Sequence, residues 1–259
     1  AATTSATISG GTAKVGDQIT VTIAASETGL TCTSCTMNGV ALTGFAASSG
    51  NSYTATYTVA EGNTDRSAGQ TTVSITLTDA AGNSNSAYTT LTESSAQTID
   101  ANSPAATTSA TISGGTAKVG DVITVTIVAS EQSLTCTSCT MNGVALASWT
   151  NSATNTYTAT YTVAEGNTDR SGGQTTLSIT LTDAAGNSNS AYTTLTESSA
   201  QTIDANSPAA TTSVSAPTGT YKIGQTITVT ITASETGLTC SACTMNSGTL
   251  TSFQSAGGN

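Results

Sequence analysis

Six cysteines are the residues whose type and spacing most directly suggest chemistry. They form three Cys-x-x-Cys pairs, in which Cys32 is matched with Cys35, Cys136 with Cys139, and Cys240 with Cys243. A closed zinc site needs four ligands and the sequence has no histidine, while a thioredoxin-type motif needs a βαβ setting that is absent. An oxidising compartment would join each pair as a local disulfide. Its loop is too short to gain much chain entropy, so its expected role is to stiffen the turn after a strand predicted at 17–25. Free buried thiols, or zinc shared between parts of the chain, stay open as alternatives.

A second candidate for chemistry is the segment 60–66, which carries Glu61, Asp65 and Arg66. A glycosidase needs two carboxylates that flank a cleft. The glycine and asparagine between these carboxylates instead predict a surface loop in which Arg66 pairs weakly, so catalysis is not expected. A lysine recurs at one equivalent place, and a solvated or ion-paired role is expected rather than a cross-link to asparagine. These lysines are Lys14, Lys118 and Lys222.

These residues are positioned by an internal repeat. The string AATTSATISGGTAKVGD begins at Ala1 and again at Ala105, and AATTS begins a third time at Ala209. The first two copies differ at 14 of 104 positions, and eight of these differences lie between Thr43 and Ser52. A period of this length matches a whole domain rather than a solenoid unit. The sequence therefore predicts repeats at 1–103 and 104–207, and a truncated or strand-complemented repeat at 208–259.

Each repeat shows the alternation of apolar residues and threonine that is typical of half-buried strands. In the segment 19–23, Ile19, Val21 and Ile23 alternate with threonine. Gly and Asn punctuation separates such runs, and no stretch has helical periodicity. Strands are predicted near 4–9, 17–25, 30–37, 40–46, 53–59, 71–78 and 86–92. About seven short strands per hundred residues predict an all-β Greek-key sandwich.

Composition excludes several classes of partner. The net charge is −10, with five lysines and arginines in all, so no basic patch can form for nucleic acid or an anionic membrane. Divalent cations are plausible partners for such an acidic chain. No apolar run is long enough to span a bilayer, which takes about 18 residues.

Three motifs resemble the bacterial Ig-like (Big) tandem repeats of large prokaryotic surface adhesins and surface filament proteins. They are VGDQITVTI from Val15 followed by Ala25-Ser26-Glu27, LTDAAGN from Leu77, and TIDANSP from Thr98, which resembles the linker between such repeats. The resemblance covers each repeat from end to end. It implies tandem immunoglobulin-like sandwiches, an extracellular cell-surface location, and a role as stalk, extender or filament wall without catalysis.

The immunoglobulin-like topology places several carboxylates at the joints between repeats, because the B–C and F–G loops share a pole with the start of strand A. Oxygen ligands converging there would suit Ca²⁺, and the resemblance also implies calcium at such joints. The expected ligands are Asp100, Glu131 and Asp183 at one joint, Asp204 and Glu235 at the next, and the equivalent Asp79 and Glu27. The alternative is that Asp79 and Asp183 only cap their turns.

The expected function is a non-catalytic stalk or extender of an extracellular adhesin. The alternative is a self-assembling filament or surface-layer subunit, because the third repeat lacks three strands and its Ile227, Val229 and Ile231 face would be open to water. A neighbouring chain could supply those strands, although a cut from a longer chain is the plainer explanation. In a third, lectin-like interpretation, Phe45 and Trp149 would stack on sugar instead of packing within the loop.

Overall fold

The computed structural model describes residues 2–105, 107–209 and 213–255, and no helix occurs among them. Contacts group the chain into two compact units. One comprises Ala1–Ile112, Thr124–Tyr161 and Thr176–Thr196, and the other Ser113–Ile123, Thr162–Thr175 and Glu197–Asn259. These units do not follow the sequence repeats, so the division at 103 and 207 stays a prediction.

The first repeat consists of short strands joined by tight turns. They are β1 (Thr3–Ile8), β2 (Gly11–Lys14), β3 (Gln18–Ala25), β4 (Thr31–Met37), β5 (Val40–Ala41), β6 (Thr43–Ser49), β7 (Ser52–Thr58), β8 (Val73–Thr78), β9 (Thr92–Glu93) and β10 (Gln97–Asp100). One sheet has the order β6-β7-β3-β1-β9 and a second has the order β5-β4-β8, while β2 pairs with β10. This order is that of an immunoglobulin-like sandwich, which confirms the predicted fold class.

The alternating pattern determines which face of each strand is buried. Val21 and Ile23 of β3 are fully buried, while the threonines between the apolar residues are exposed. Ile75 and Leu77 of β8 are buried in the same cluster, so the two sheets share one core. Tyr57 of β7 lies fully buried in that core, and burial is the main reason that its pKa is raised.

The second repeat has the same strand order in its sheets, β16-β17-β13-β11-β19 and β15-β14-β18, with the pair β12-β20. Its strands are β11 (Ser109–Ile112), β12 (Gly115–Lys118), β13 (Val122–Val128), β14 (Thr135–Met141), β15 (Val144–Ala145), β16 (Ala147–Ala153), β17 (Thr156–Thr162), β18 (Leu177–Thr182), β19 (Thr196–Glu197) and β20 (Gln201–Asp204).

The third repeat forms only two small antiparallel pairs. They are β21 (Ser213–Ser215) with β22 (Thr230–Thr232), and β23 (Thr244–Met245) with β24 (Gly248–Thr249). Its Ile227, Val229 and Ile231 are half-buried, whereas the equivalent Val21 and Ile23 are fully buried. The sequence ends before the equivalents of β7 and β8, and in the first repeat β7 pairs with β3 while β8 belongs to the opposite sheet.

The end of the repeat differs from expectation. The segment 86–92 is not a strand over most of its length, because Tyr88 makes only an isolated bridge to Ile75. The first three residues of the expected linker, Thr98 to Asp100, instead belong to strand β10, and Ile99 is buried. Strand β10 pairs in parallel with β2, a strand that was not predicted. Thr98 lies opposite Thr12, some 86 residues earlier in the sequence. Both strands are four residues long, so their alternation was too short to detect.

Candidate functional site

The three residues that follow β10, Ala101 to Ser103, form the connector to the second repeat, and loop carboxylates hold its backbone. Asp65 Oδ1 accepts hydrogen bonds from the Ala101 N–H and the Asn102 Nδ2–H, both at 2.8 Å. Glu61 accepts from the Ser103 N–H at 3.0 Å and from the Ser103 hydroxyl at 2.7 Å. Ala101 is completely buried, so Asp65 satisfies a backbone donor that water does not reach.

The same connector clamp recurs in the second repeat. Asp169 accepts from the Ala205 N–H and the Asn206 Nδ2–H at 2.8 Å, and Glu165 accepts from Ser207 at 2.9 Å. The segment 60–66 was expected to be a loop in which Arg66 pairs weakly. It is a loop, but within the described residues Arg66 forms no ion pair, and its backbone instead bridges Ile99 in both directions.

The turn Asp183–Asn187 of the second repeat contacts the first repeat. Asn187 is buried, its Oδ1 accepts the Val15 N–H at 2.8 Å, and its Nδ2 donates to the Asp100 carbonyl at 3.2 Å. A Cβ added to Gly186 would lie 3.2 Å from Cδ of Lys14, so the lysine side chain passes close over this glycine.

The turn is shaped by its own aspartate. Asp183 Oδ1 accepts the N–H groups of Gly186 at 2.7 Å and Asn187 at 2.9 Å, and its Oδ2 accepts the Asn187 amide at 3.0 Å. The equivalent Asp79 caps its turn in the same way, with the Asn83 N–H at 2.9 Å and the Asn83 amide at 3.0 Å. Bonds from Asn83 are the main reason that the pKa of Asp79 is lowered, because they favour the charged carboxylate.

Two carboxylates at the connector resist ionisation. The pKa of Asp100 is raised, first by burial and then by the charges of Asp183, Asp65 and Glu61. The pKa of Glu131 is also raised, first by burial and then by the charges of Asp183, Asp100 and Asp65. The predicted set Asp100, Glu131 and Asp183 therefore lies close enough for mutual repulsion.

Proximity alone does not make this set a metal site. In the described parts of the chain, no three or more carboxylate or cysteine side chains are grouped so that they could hold a metal ion. Both oxygens of Asp183 already accept bonds from its own turn. As placed, these residues do not fit Ca²⁺, and calcium at the joint stays a prediction.

The other predicted ligands make local contacts. The Glu27 carbonyl accepts the Tyr53 hydroxyl at 3.3 Å. Asp204 Oδ1 accepts the Asn206 N–H at 3.4 Å, and Glu235 is half-buried in the third repeat. Lys118 is largely exposed and pairs with Asp121 at 3.2 Å, which is a surface ion pair of little energetic weight.

Each cysteine pair is joined as a disulfide. Contrary to the prediction, the bond of the first repeat does not lie in the turn after β3. Cys32 and Cys35 both lie within β4. Residues three apart on a straight strand are about 10 Å apart, whereas these Cα atoms are 6.0 Å apart. A β-bulge between Cys32 and Ser34 bends the strand enough to bring them together. The disulfide therefore holds this bulge.

The disulfide of the second repeat has the same position as that of the first, and the disulfide of the third repeat does not. Cys136 and Cys139 both lie within β14, where a bulge between Cys136 and Ser138 brings their Cα atoms to 5.9 Å. Cys240 and Cys243 have the same Cα separation of 5.9 Å, but they lie in an irregular segment immediately before β23. The prediction that the bond stiffens the turn after the preceding strand was therefore wrong for the first two pairs, whose cysteines lie within the following strand, whereas Cys240 and Cys243 lie in the connection between β22 and β23.

The two aromatic residues considered for sugar binding pack inside their own repeats. Phe45 stacks on Tyr53 with ring centroids 5.0 Å apart, and Trp149 stacks on Tyr157 at 4.8 Å. The Trp149 indole N–H also donates to the Leu134 carbonyl at 3.2 Å. One face of each ring is therefore occupied by a core tyrosine.

Asp65, Glu61 and Asn187 bond the connector or the segments next to it, and the sequence did not indicate these contacts. The available signal was that Glu61 and Asp65 recur unchanged as Glu165 and Asp169 beside an unchanged connector. Most of their bonds go to backbone groups. Every residue has such groups, so the sequence does not show which residue is the partner.

No family model matches the chain, and no curated protein matches it. Among solved structures, it is similar to FdeC, an Escherichia coli adhesin, at 18% identity over 89% of this chain and 73% of that chain, with a TM-score of 0.29. An ICAM-5 ectodomain fragment is similar at 15% identity over 77% and 46%, with a TM-score of 0.35. A titin tandem is similar at 15% over 78% and 64%, with a TM-score of 0.27.

All three TM-scores lie below 0.5, so these similarities support no conclusion about this chain. The chain is an array of tandem immunoglobulin-like sandwiches, the class that its strand order defines. Within the described residues, no helix is long and apolar enough to cross a membrane.

Proposed function

We propose that this chain is a structural stalk or extender segment of an extracellular cell-surface adhesin, of the bacterial Ig-like repeat kind, and that it has no catalytic role. The observation that carries the proposal is the bonding of the connector. Asp65 and Glu61 fix its backbone to the repeat that it leaves, and Asn187 ties the repeat that it enters to Asp100 and Val15.

A spacer needs joints that hold a direction, and a connector of three residues bonded at each position has little freedom to bend. A flexible tether would instead leave its backbone groups to water. A disulfide in every repeat suits the oxidising exterior of a cell, and it supports the extracellular part of the proposal.

Single-molecule force spectroscopy on the whole chain tests the mechanical role. We expect two separate unfolding events, one for each complete repeat. Each event should release a contour length of about 330–360 Å per hundred residues, less the folded length and the residues enclosed by the disulfide. A single event, or smooth extension without peaks, would show that the repeats are not independent load-bearing units and would overturn the proposal.

The cellular location requires its own test. Antibody against the chain should label intact cells that produce it, and labelling only after lysis would contradict the surface assignment. Electron micrographs of the purified chain separate the extender from the filament alternative. Single chains support the extender, whereas laterally joined chains favour a filament or surface layer built from identical chains.

A further inference from the structure

The parallel pair β2–β10 lacks the backbone hydrogen bond that would come next at its end, and this position is called the open rung. Gly11 donates its N–H to the Ala96 carbonyl, and the register is Gly11↔Gln97 through Lys14↔Asp100. In a parallel ladder, every second residue of a strand donates its N–H to the partner strand. Counting on from Gly11, the next donor beyond the end of β2 is Val15, and its acceptor would be the Asp100 carbonyl. Instead, both groups bond the Asn187 side chain, at 2.8 Å and 3.2 Å.

A side-chain amide is suited to this position because it carries one carbonyl acceptor and an N–H donor, like a peptide group. Asn187 therefore occupies the rung as an inserted amide, supplied by the following repeat. Its burial excludes water from both bonds, so the loss of either partner would leave buried polar groups unsatisfied.

The turn that carries this amide keeps its asparagine-to-aspartate bonds when it is undocked, although a third N–H reaches the aspartate from Ala81 there and from Gly186 in the docked turn. In the first repeat, the Asn83 amide donates to Asp79 Oδ2 at 3.0 Å, the same distance as between Asn187 and Asp183. Asn83 is nevertheless exposed, and no donor reaches its Oδ1 among the described residues. The turn is thus preorganised, and docking needs little rearrangement.

The receiving surface is also present without its amide. In the second repeat, Gly115 donates to the Ala200 carbonyl and the register ends at Lys118↔Asp204, as in the first repeat. The Val119 N–H has no hydrogen-bond partner in the described part of the chain, so this rung also stays open.

We infer that the Asp-Ala-Ala-Gly-Asn turn is the docking element between repeats. Its asparagine amide takes the place of the missing backbone bond at the end of the β2–β10 pair of the preceding repeat. The partner of the exposed Asp79–Asn83 turn is accordingly another repeat of this kind, one that carries a Lys-Val-Gly-Asp turn and ends its last strand in aspartate. The inference rests on the proposed extender function and identifies the surface that orients its joints.

Amide hydrogen exchange, measured by NMR on the whole chain, tests this directly. The Val15 N–H should exchange at least tenfold more slowly than the equivalent Val119 N–H, since only Val15 has a buried partner. Asn187→Ala should remove that protection. Asn83→Ala is the matched control, because it disturbs an identical turn and should leave Val15 unchanged.

Equal exchange at Val15 and Val119 in the unmodified chain would overturn the inference, as would equal effects of the two substitutions on Val15. Slow exchange at the Val21 amide in each variant verifies that the sandwich is intact. If Val15 proves unprotected while the force traces still show two events, the docking inference fails and the extender function stands.

The partner is tested by adding a further copy of residues 1–104 before Ala1 of the whole chain. The valine of the added copy that is equivalent to Val15 should then become protected, and Asn83→Ala should now abolish that protection. If this valine exchanges as fast as Val119, the assignment of the partner is wrong.

Discussion

Asp65 gives the most decisive test of the connector clamp. Asp65→Ala removes two charge-assisted hydrogen bonds of 2.8 Å, to the Ala101 N–H and the Asn102 amide. Hydrogen bonds to charged groups contribute about 1.5–3 kcal/mol each, and the bond to the exposed Asn102 lies well below that range. The buried Ala101 N–H is left without an acceptor, so we expect the unfolding free energy of the first repeat to fall by about 2–4 kcal/mol.

Calorimetry should detect this loss as a fall of roughly 10 °C or more in one of the transitions, because about 1 kcal/mol shifts a domain of this size by some 4–8 °C. Trp149, the only tryptophan, lies in the second repeat and should report an unchanged transition by fluorescence. Glu61→Ala is the matched control, because it loses bonds only at exposed groups and should cost less than about 1 kcal/mol. Equal and small effects of Asp65→Ala and Glu61→Ala, below about 0.5 kcal/mol, would refute the reasoning.

Three further expectations concern the disulfides, pH and calcium. Reduction of the bond between Cys32 and Cys35 should lower the unfolding free energy of its repeat by about 2 kcal/mol, the chain-entropy value for so short a loop, as measured by urea titration with and without reductant. Because the folded-state pKa of Asp100 is raised, its ionised form weakens the fold at neutral pH, and this loss is relieved as the pH falls through that raised pKa. Asp100→Asn should therefore raise the calorimetric midpoint at pH 7, with a gain over the unmodified chain that disappears in acid; a gain that persists would contradict this cause. If the predicted calcium binds beside Asp100 and Glu131, the midpoint in calcium should exceed that in EDTA, and equal midpoints would exclude a stabilising ion.

The sandwich could be predicted because its signal is local and repeated. Val21 and Ile23 alternate with threonine on a strand long enough for the period of two to be unmistakable, and the structure buries both. Strand β10 escaped prediction because four residues carry little periodicity and its partner β2 is distant in sequence. Ile99 is buried by that pairing, which no local pattern indicates.

The contacts of the joint were less predictable than the location of its charges. Sequence reasoning brought Asp100, Glu131 and Asp183 to one place, and their electrostatic interactions agree with that proximity. It did not find that Asp183 uses its oxygens within its own turn, or that Asn187 provides the contact to the first repeat. Such side chains bond to backbone groups, whose positions depend on the completed fold.

The parallel direction of β2 and β10 also determines how a repeat bears tension. One strand lies near the beginning of the repeat and the other immediately before its exit, so a pull on the two ends drives them past each other lengthwise. All rungs between Gly11 and Asp100 are then loaded together, rather than opening one after another as in a zipper. Rupture therefore requires several bonds to fail at once. Each sandwich resists stretching most strongly when the force acts along the line between its two ends.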